Sequence, residues 1–116
     1  MAIKDWNAYR KLALGLKLPN VVEATSWGNP CLKAHGKLWA WWSPSANAPI
    51  FKMPKEERDF LIEVDPDTFF TTDHYRSHNL ILAKPDLVDP DWACNHLKRT
   101  WREMTPKRFL KEYDGG

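Results

Sequence analysis

Residues 31–43 read Cys-Leu-Lys-Ala-His-Gly-Lys-Leu-Trp-Ala-Trp-Trp-Ser, two apolar-rich runs on either side of a glycine. Glycine at the first of two loop positions suits a type II′ turn, so we predict a β-hairpin with Gly36 and Lys37 as its loop. Side chains alternate along a strand, which divides the hairpin into two faces. The predicted core face holds Leu32, Ala34, Trp39 and Trp41. The mixed face, expected to stay partly open, holds Cys31, Lys33, His35, Leu38, Ala40 and Trp42.

Helical and extended patterns alternate on both sides of this hairpin. Apolar residues at helical spacing predict a first helix that ends at Pro19, and Val21–Trp27 reads as an extended segment before a turn at Gly28-Asn29-Pro30. After the hairpin we predict strands at Ile50–Met53, Thr68–Thr72 and Leu80–Ala83, and helices that start near Pro54, Pro90 and Pro106. Short hairpin connections predict an α+β fold, an antiparallel sheet with helices packed on one face.

Length and composition place the chain in a broad class. Its 116 residues suit one domain, residues 1–116, and 43% apolar with 28% charged residues is typical of a globular chain. No run approaches the length of a membrane span, and the first residues lack the apolar core of a secretory signal. We therefore expect a soluble, cytoplasmic monomer with no membrane partner.

Sequence motifs for catalysis or metal binding are missing. There is no P-loop, GxSxG or GxGxxG motif, and the two cysteines form no CxxC pair. Cys31 and His35 lie about 13 Å apart on a strand, too far for a thiol–imidazole hydrogen bond. His74 and His78, with Asp73, lack a third ligand motif. We predict that the protein is not an enzyme and binds no metal or cofactor.

Charge is unevenly distributed along the chain. The formal net charge is only +2, which excludes a strongly basic domain. Residues 96–111 nevertheless hold six cations against one acidic residue, a local +5, whereas residues 54–73 carry a local −5. The six cations are candidate phosphate ligands, namely Lys98, Arg99, Arg102, Lys107, Arg108 and Lys111. The alternative is that they solvate helix faces and are offset by the acidic helix within the monomer.

Tryptophan is abundant, with seven residues. Helix stripes and the predicted core face account for Trp6, Trp101, Trp39 and Trp41. The other three, Trp27, Trp42 and Trp92, are candidates for stacking on a planar group. Trp42 beside Lys33 could stack a nucleic-acid base, or the tryptophans could bind an aromatic small molecule in a drug-sequestering protein. A contiguous exposed apolar patch would instead indicate a protein-interaction module.

An ordered set of motifs carries a resemblance to a known family. The set comprises Leu18-Pro19-Asn20-Val21, Gly36-Lys37-Leu38-Trp39-Ala40, Phe51-Lys52 before a Pro-Glu helix start, Asp65-Pro66-Asp67-Thr68-Phe69-Phe70, His74-Tyr75-Arg76 and Thr105-Pro106-Lys107-Arg108. Together they resemble the MmcQ/YjbR-like proteins over residues 5–113. The resemblance implies a CyaY-like, or double-wing, α+β architecture and DNA binding, and it implies no catalytic residues.

Overall fold

A computed structural model describes residues 2–115, where four helices and six strands follow one another along the chain. The helices are α1 (Trp6–Gly15), α2 (Lys55–Val64), α3 (Pro90–Met104) and α4 (Lys107–Tyr113). The strands are β1 (Val21–Ser26), β2 (Asn29–Ala34), β3 (Lys37–Ser43), β4 (Ala48–Lys52), β5 (Phe69–Phe70) and β6 (Leu80–Ala83). The strands form one sheet in the order β1-β2-β3-β4-β6-β5, and every pair is antiparallel. The α+β prediction is confirmed.

Local sequence signals set where the helices begin. The Asp5 carboxylate accepts the Ala8 amide at 2.8 Å and caps α1. Asp89 caps α3 in the same way, accepting from Asp91 N at 2.9 Å, and Pro90 occupies the first helical position as predicted. These caps satisfy amides that have no partner inside the helix.

Each face of the sheet has its own apolar cluster. On one face all four helices contribute side chains to a core that includes Tyr9, Phe51 and the fully buried Trp39 and Trp101. The opposite face has a smaller cluster formed by Ala48, Ile50, Leu80 and Leu82, against which Trp41 and Tyr75 pack. Helix side chains contribute to the first cluster and not to the second, so the prediction that the helices pack on one face of the sheet is confirmed. Within residues 2–115 no helix is both long and apolar enough to cross a bilayer.

The predicted register of the central hairpin was wrong. The loop residues are His35 and Gly36, both at positive φ (53° and 81°), which makes a type I′ turn. Ala34 therefore pairs with Lys37, and an irregularity in the ladder then makes Ala40 the partner of Leu32.

The irregularity leaves Trp39 as an extra residue on β3, and because side chains alternate with a period of two, the β3 residues after it lie on the faces opposite to those predicted. Trp41 packs on the smaller cluster, whereas Ala40 and Trp42 join the helix-side core. The assignment of Trp41 to the core face beside Trp39 was wrong, and so was that of Ala40 and Trp42 to the mixed face.

Two imidazoles, those of the half-buried His35 and the buried His96, are expected to make stability depend on pH. Burial lowers the pKa of both His35 and His96 below the ordinary 6.5. A depressed folded-state pKa means that the unfolded chain binds the proton more readily, so stability present above pH 6.5 is lost as the pH falls below it. Urea unfolding between pH 7 and pH 5 should show a falling free energy of unfolding. The double variant His35→Asn/His96→Gln should have a flatter profile, and an equally steep profile in that variant would contradict this origin.

Candidate nucleic-acid interface

The junction between α3 and α4 positions most of the candidate cations. Thr105 ends α3, where its hydroxyl donates to the Trp101 carbonyl oxygen at 2.6 Å. The following helix packs Phe109 and Tyr113 against the Trp101 ring, with centroid distances of 6.4 and 5.1 Å. Because one side of α4 is used for this packing, its basic side chains are left at the surface.

Four cations are exposed and make no ion pair with any carboxylate of residues 2–115, namely Lys98, Lys107, Arg108 and Lys111. We call these four residues the cationic helix surface. An ammonium or guanidinium group without an internal partner can bind an external phosphate without first breaking an ion pair.

Arg99 and Arg102 are already paired with carboxylates. The Arg99 guanidinium donates to both oxygens of Glu57 on α2 at 2.6 and 2.7 Å, and it also reaches Glu103 at 3.3 Å. The hydrogen bond to Glu57 raises the pKa of Arg99, and the same bond lowers the pKa of the Glu57 carboxyl. Arg102 binds both oxygens of Asp114 at 2.8 and 3.1 Å. Glu57 on the acidic helix α2 therefore neutralises part of the basic cluster, as the alternative interpretation of these charges predicts.

Lys33 lies on β2, close to the turn that contacts α3 and α4. The turn residue His35 is held there: Thr105 Oγ accepts from its Nε2 at 2.8 Å, and its ring lies 5.7 Å from that of Phe109. Lys33 is half-buried and points away from the helices, because its neighbours Leu32 and Ala34 both belong to the helix-side core.

The three candidate stacking residues do not form one site. Trp42 lies on the helix side of the sheet, away from Lys33, and its Nε1 donates to Asn47 Oδ1 at 3.2 Å. Trp92 packs against Phe69 at 4.8 Å and stacks on His96 at 4.9 Å. Trp27 is 98% exposed at the β1–β2 turn. The separation of Trp42 from Lys33 corrects the prediction that they share a face.

Two concave features of the surface lie elsewhere. An open depression of about 340 Å³ is lined by Lys52, Met53, Pro54, Asn79, Thr100, Glu103 and Met104. A second is lined by residues 2–11 of the N-terminal segment and α1. Neither includes Trp27, Trp42 or Trp92. Among the described residues no group of three or more His, Cys, Asp and Glu side chains is arranged to hold a metal ion.

Sequence reasoning missed the residues that decide which cations are available. Glu57 lies 42 positions before Arg99, and Asp114 lies 12 positions after Arg102. Both carboxylates were visible as charges, but no local pattern indicates which distant cation each one pairs with. Helical i,i+4 spacing did offer a signal for the weaker Arg99–Glu103 pair.

The molecule is an α+β protein in which helices cover one face of an antiparallel sheet and the cationic helix surface is exposed. Neither of the two depressions described above is a deep pocket. A model of the YjbR family matches residues 16–103, which is more than half of the chain. The protein therefore belongs to the YjbR family. Searches of curated proteins and of solved structures found no match.

Proposed function

We propose that this YjbR-family protein is a non-catalytic DNA-binding protein that contacts phosphates through the cationic helix surface. The observation that carries the proposal is that Lys98, Lys107, Arg108 and Lys111 are exposed on successive helices with no carboxylate partner among residues 2–115. Cations that neutralise phosphates release condensed counterions, which drives binding at low salt. Arg99 and Arg102 contribute less, because DNA must compete with Glu57 and Asp114 for them.

The alternative, a binding protein for an aromatic small molecule, has less support. Small ligands are usually held in concave sites that bury most of their surface. Trp27 offers one fully exposed ring, and the two depressions described above are lined by other residues.

The charge-reversal variant Lys107→Glu/Arg108→Glu/Lys111→Glu tests the proposal. We expect the variant to bind DNA more weakly at every sequence, and the slope of log K against log salt to fall by about 2 to 3, since each duplex phosphate contact contributes ~0.9. Fluorescence anisotropy of a labelled duplex between 50 and 200 mM salt, roughly the range over which such contacts are lost, measures both quantities.

A matched control separates the surface from the total charge. Lys11→Glu/Lys55→Glu/Lys84→Glu gives the same net charge by changing three exposed lysines outside α3 and α4. The control should keep most of the affinity and the slope. Equal losses in both variants, or wild-type binding that does not respond to salt, would contradict the proposal.

A further inference from the structure

Neither backbone preference nor packing inside the monomer explains why residue 27 is a tryptophan. It is the first of two loop residues between β1 and β2, with φ +53°, and Gly28 follows at φ +79°. A two-residue turn with both φ values positive favours Asn, Asp or Gly at the first position, and a bulky residue there is strained. The Trp27 ring is 98% exposed, so packing inside the monomer does not compensate for this strain. Backbone outliers of this kind often mark functional positions.

The residues next to Trp27 in the sequence indicate which type of partner the ring suits. Residues 24–30 read Ala-Thr-Ser-Trp-Gly-Asn-Pro and carry no charge. Thr25 and Ser26 are neighbours of Trp27 along the chain and carry neutral hydrogen-bonding groups, which match the edges of nucleobases while the indole offers a stacking surface. The Asn29 side-chain amide donates to the Trp27 carbonyl oxygen at 3.4 Å. An anionic lipid surface would favour basic residues beside the ring, and this turn has none.

The strand β2 connects this ring to the proposed phosphate site. It runs from Asn29 to Ala34, a length of about 20 Å at ~3.3 Å per residue. At its far end, His35 contacts Thr105 and Phe109, so this end of β2 lies against the junction between α3 and α4. The duplex spacing of ~3.4 Å per phosphate is a lower limit for an unstacked strand, so at most about six nucleotides cover the distance.

We infer that Trp27 stacks on an unpaired base of a DNA strand whose phosphates are bound by the α4 cations Lys107, Arg108 and Lys111. This inference rests on the proposed function and names its substrate class, single-stranded or locally unpaired DNA. In an intact duplex each base face is covered by its neighbours, so the ring gains stacking only where a base is unpaired.

The variant Trp27→Asn tests the inference without endangering the fold. Asparagine is favoured at this turn position, so the variant should melt at or above the wild-type temperature. Anisotropy with a labelled oligothymidylate of 16 nucleotides, the 16-mer, should show about tenfold weaker binding by the variant than by the wild type, the loss expected for one stacked base. A labelled 16-base-pair duplex, in which every base is paired and stacked, should bind equally to the wild type and to Trp27→Asn. Trp27→Phe, which keeps an aromatic ring, should retain most of the affinity for the 16-mer.

Salt dependence distinguishes this inference from the proposed function. Stacking releases few counterions, so Trp27→Asn should leave the salt slope unchanged, whereas the triple α4 variant reduces it. Unchanged 16-mer affinity in Trp27→Asn, together with a loss in the α4 variant, would overturn the inference and leave the proposed function standing. No binding of any oligonucleotide or duplex by the wild type would overturn both. If Trp27→Asn impaired binding only to phosphatidylglycerol vesicles, the partner would be a membrane surface and the inference would be wrong.

Discussion

Replacing Trp39 with alanine is expected to lower the free energy of unfolding by about 3–5 kcal/mol, the largest stability effect we anticipate for a single change. The Trp39 side chain has no exposed area and lies between β3 and α3. Its indole Nε1 donates to the Leu97 carbonyl oxygen at 3.2 Å and to Thr100 Oγ at 3.1 Å. Alanine removes this contact and leaves a cavity that the sheet and helix can fill only in part.

Two further variants identify the source of this loss. Trp39→Phe keeps a ring and loses the indole N–H; Thr100 Oγ still donates to Leu97 O, so we expect a cost of only about 1–2 kcal/mol. Trp27→Asn removes an equally large but exposed ring and should change stability by less than about 0.5 kcal/mol, or raise it. Urea unfolding followed by circular dichroism measures all three. A loss of less than about 1 kcal/mol for Trp39→Ala would show that the β3–α3 contact is not central to the core.

The burial of Trp39 and Trp101 could be predicted because periodicity reports which side chains face a core. The helix starts at Asp5 and Asp89 follow from the same kind of local information, since a capping side chain acts within three residues. Fold class, helix order and the two central aromatic residues were therefore accessible from sequence. These features depend on short-range chemistry and on which residues are apolar.

The register of the central hairpin was not accessible in the same way. Gly36 fits either the first position of a type II′ turn or the second position of a type I′ turn, so the glycine alone does not decide the loop. The choice is made by distant contacts: His35 binds Asn20 through its backbone amide at 2.9 Å and Thr105 through its ring at 2.8 Å. The extra β3 residue at Trp39, which local sequence also does not predict, then places Trp41 on the other face of the sheet.

The candidate site was predictable in composition and not in detail. The run of cations in residues 96–111 is a property of the sequence, but the pairing of Arg99 with Glu57 depends on how α2 and α3 pack. The sequence predicts no core position for Trp27. Its exposure and its positive φ, which only the structure shows, make it a candidate binding residue. Long-range pairing therefore separates the cations that are available for a partner from those that stabilise the monomer.

Replacing Arg58 with methionine is expected to lower the free energy of unfolding by about 2–4 kcal/mol, because two loop carbonyl groups would lose their hydrogen bonds to a buried, charged donor. Arg58 on α2 is only 4% exposed, although the sequence places it in an acidic, surface-like segment. Its Nη1 donates to the carbonyl oxygens of Arg76 at 2.9 Å and His78 at 3.1 Å. Methionine fills a similar volume but offers no donor.

The Arg58→Met variant should destabilise the segment between β5 and β6 before it destabilises the rest of the domain. Residues 71–79 connect β5 to β6 and carry Tyr75, whose hydroxyl lies 2.9 Å from Ser43 Oγ beside the smaller apolar cluster. Hydrogen exchange should therefore show faster exchange at the amides of Tyr75, His78 and Leu80, which bond within this segment, before β1–β3 lose protection. Lys55→Met, an exposed change on the same helix, should alter neither stability nor exchange. A uniform loss of protection in Arg58→Met would contradict the role of Arg58 in holding this loop. A guanidinium bonded to two carbonyls of one loop should stabilise that loop more than distant strands.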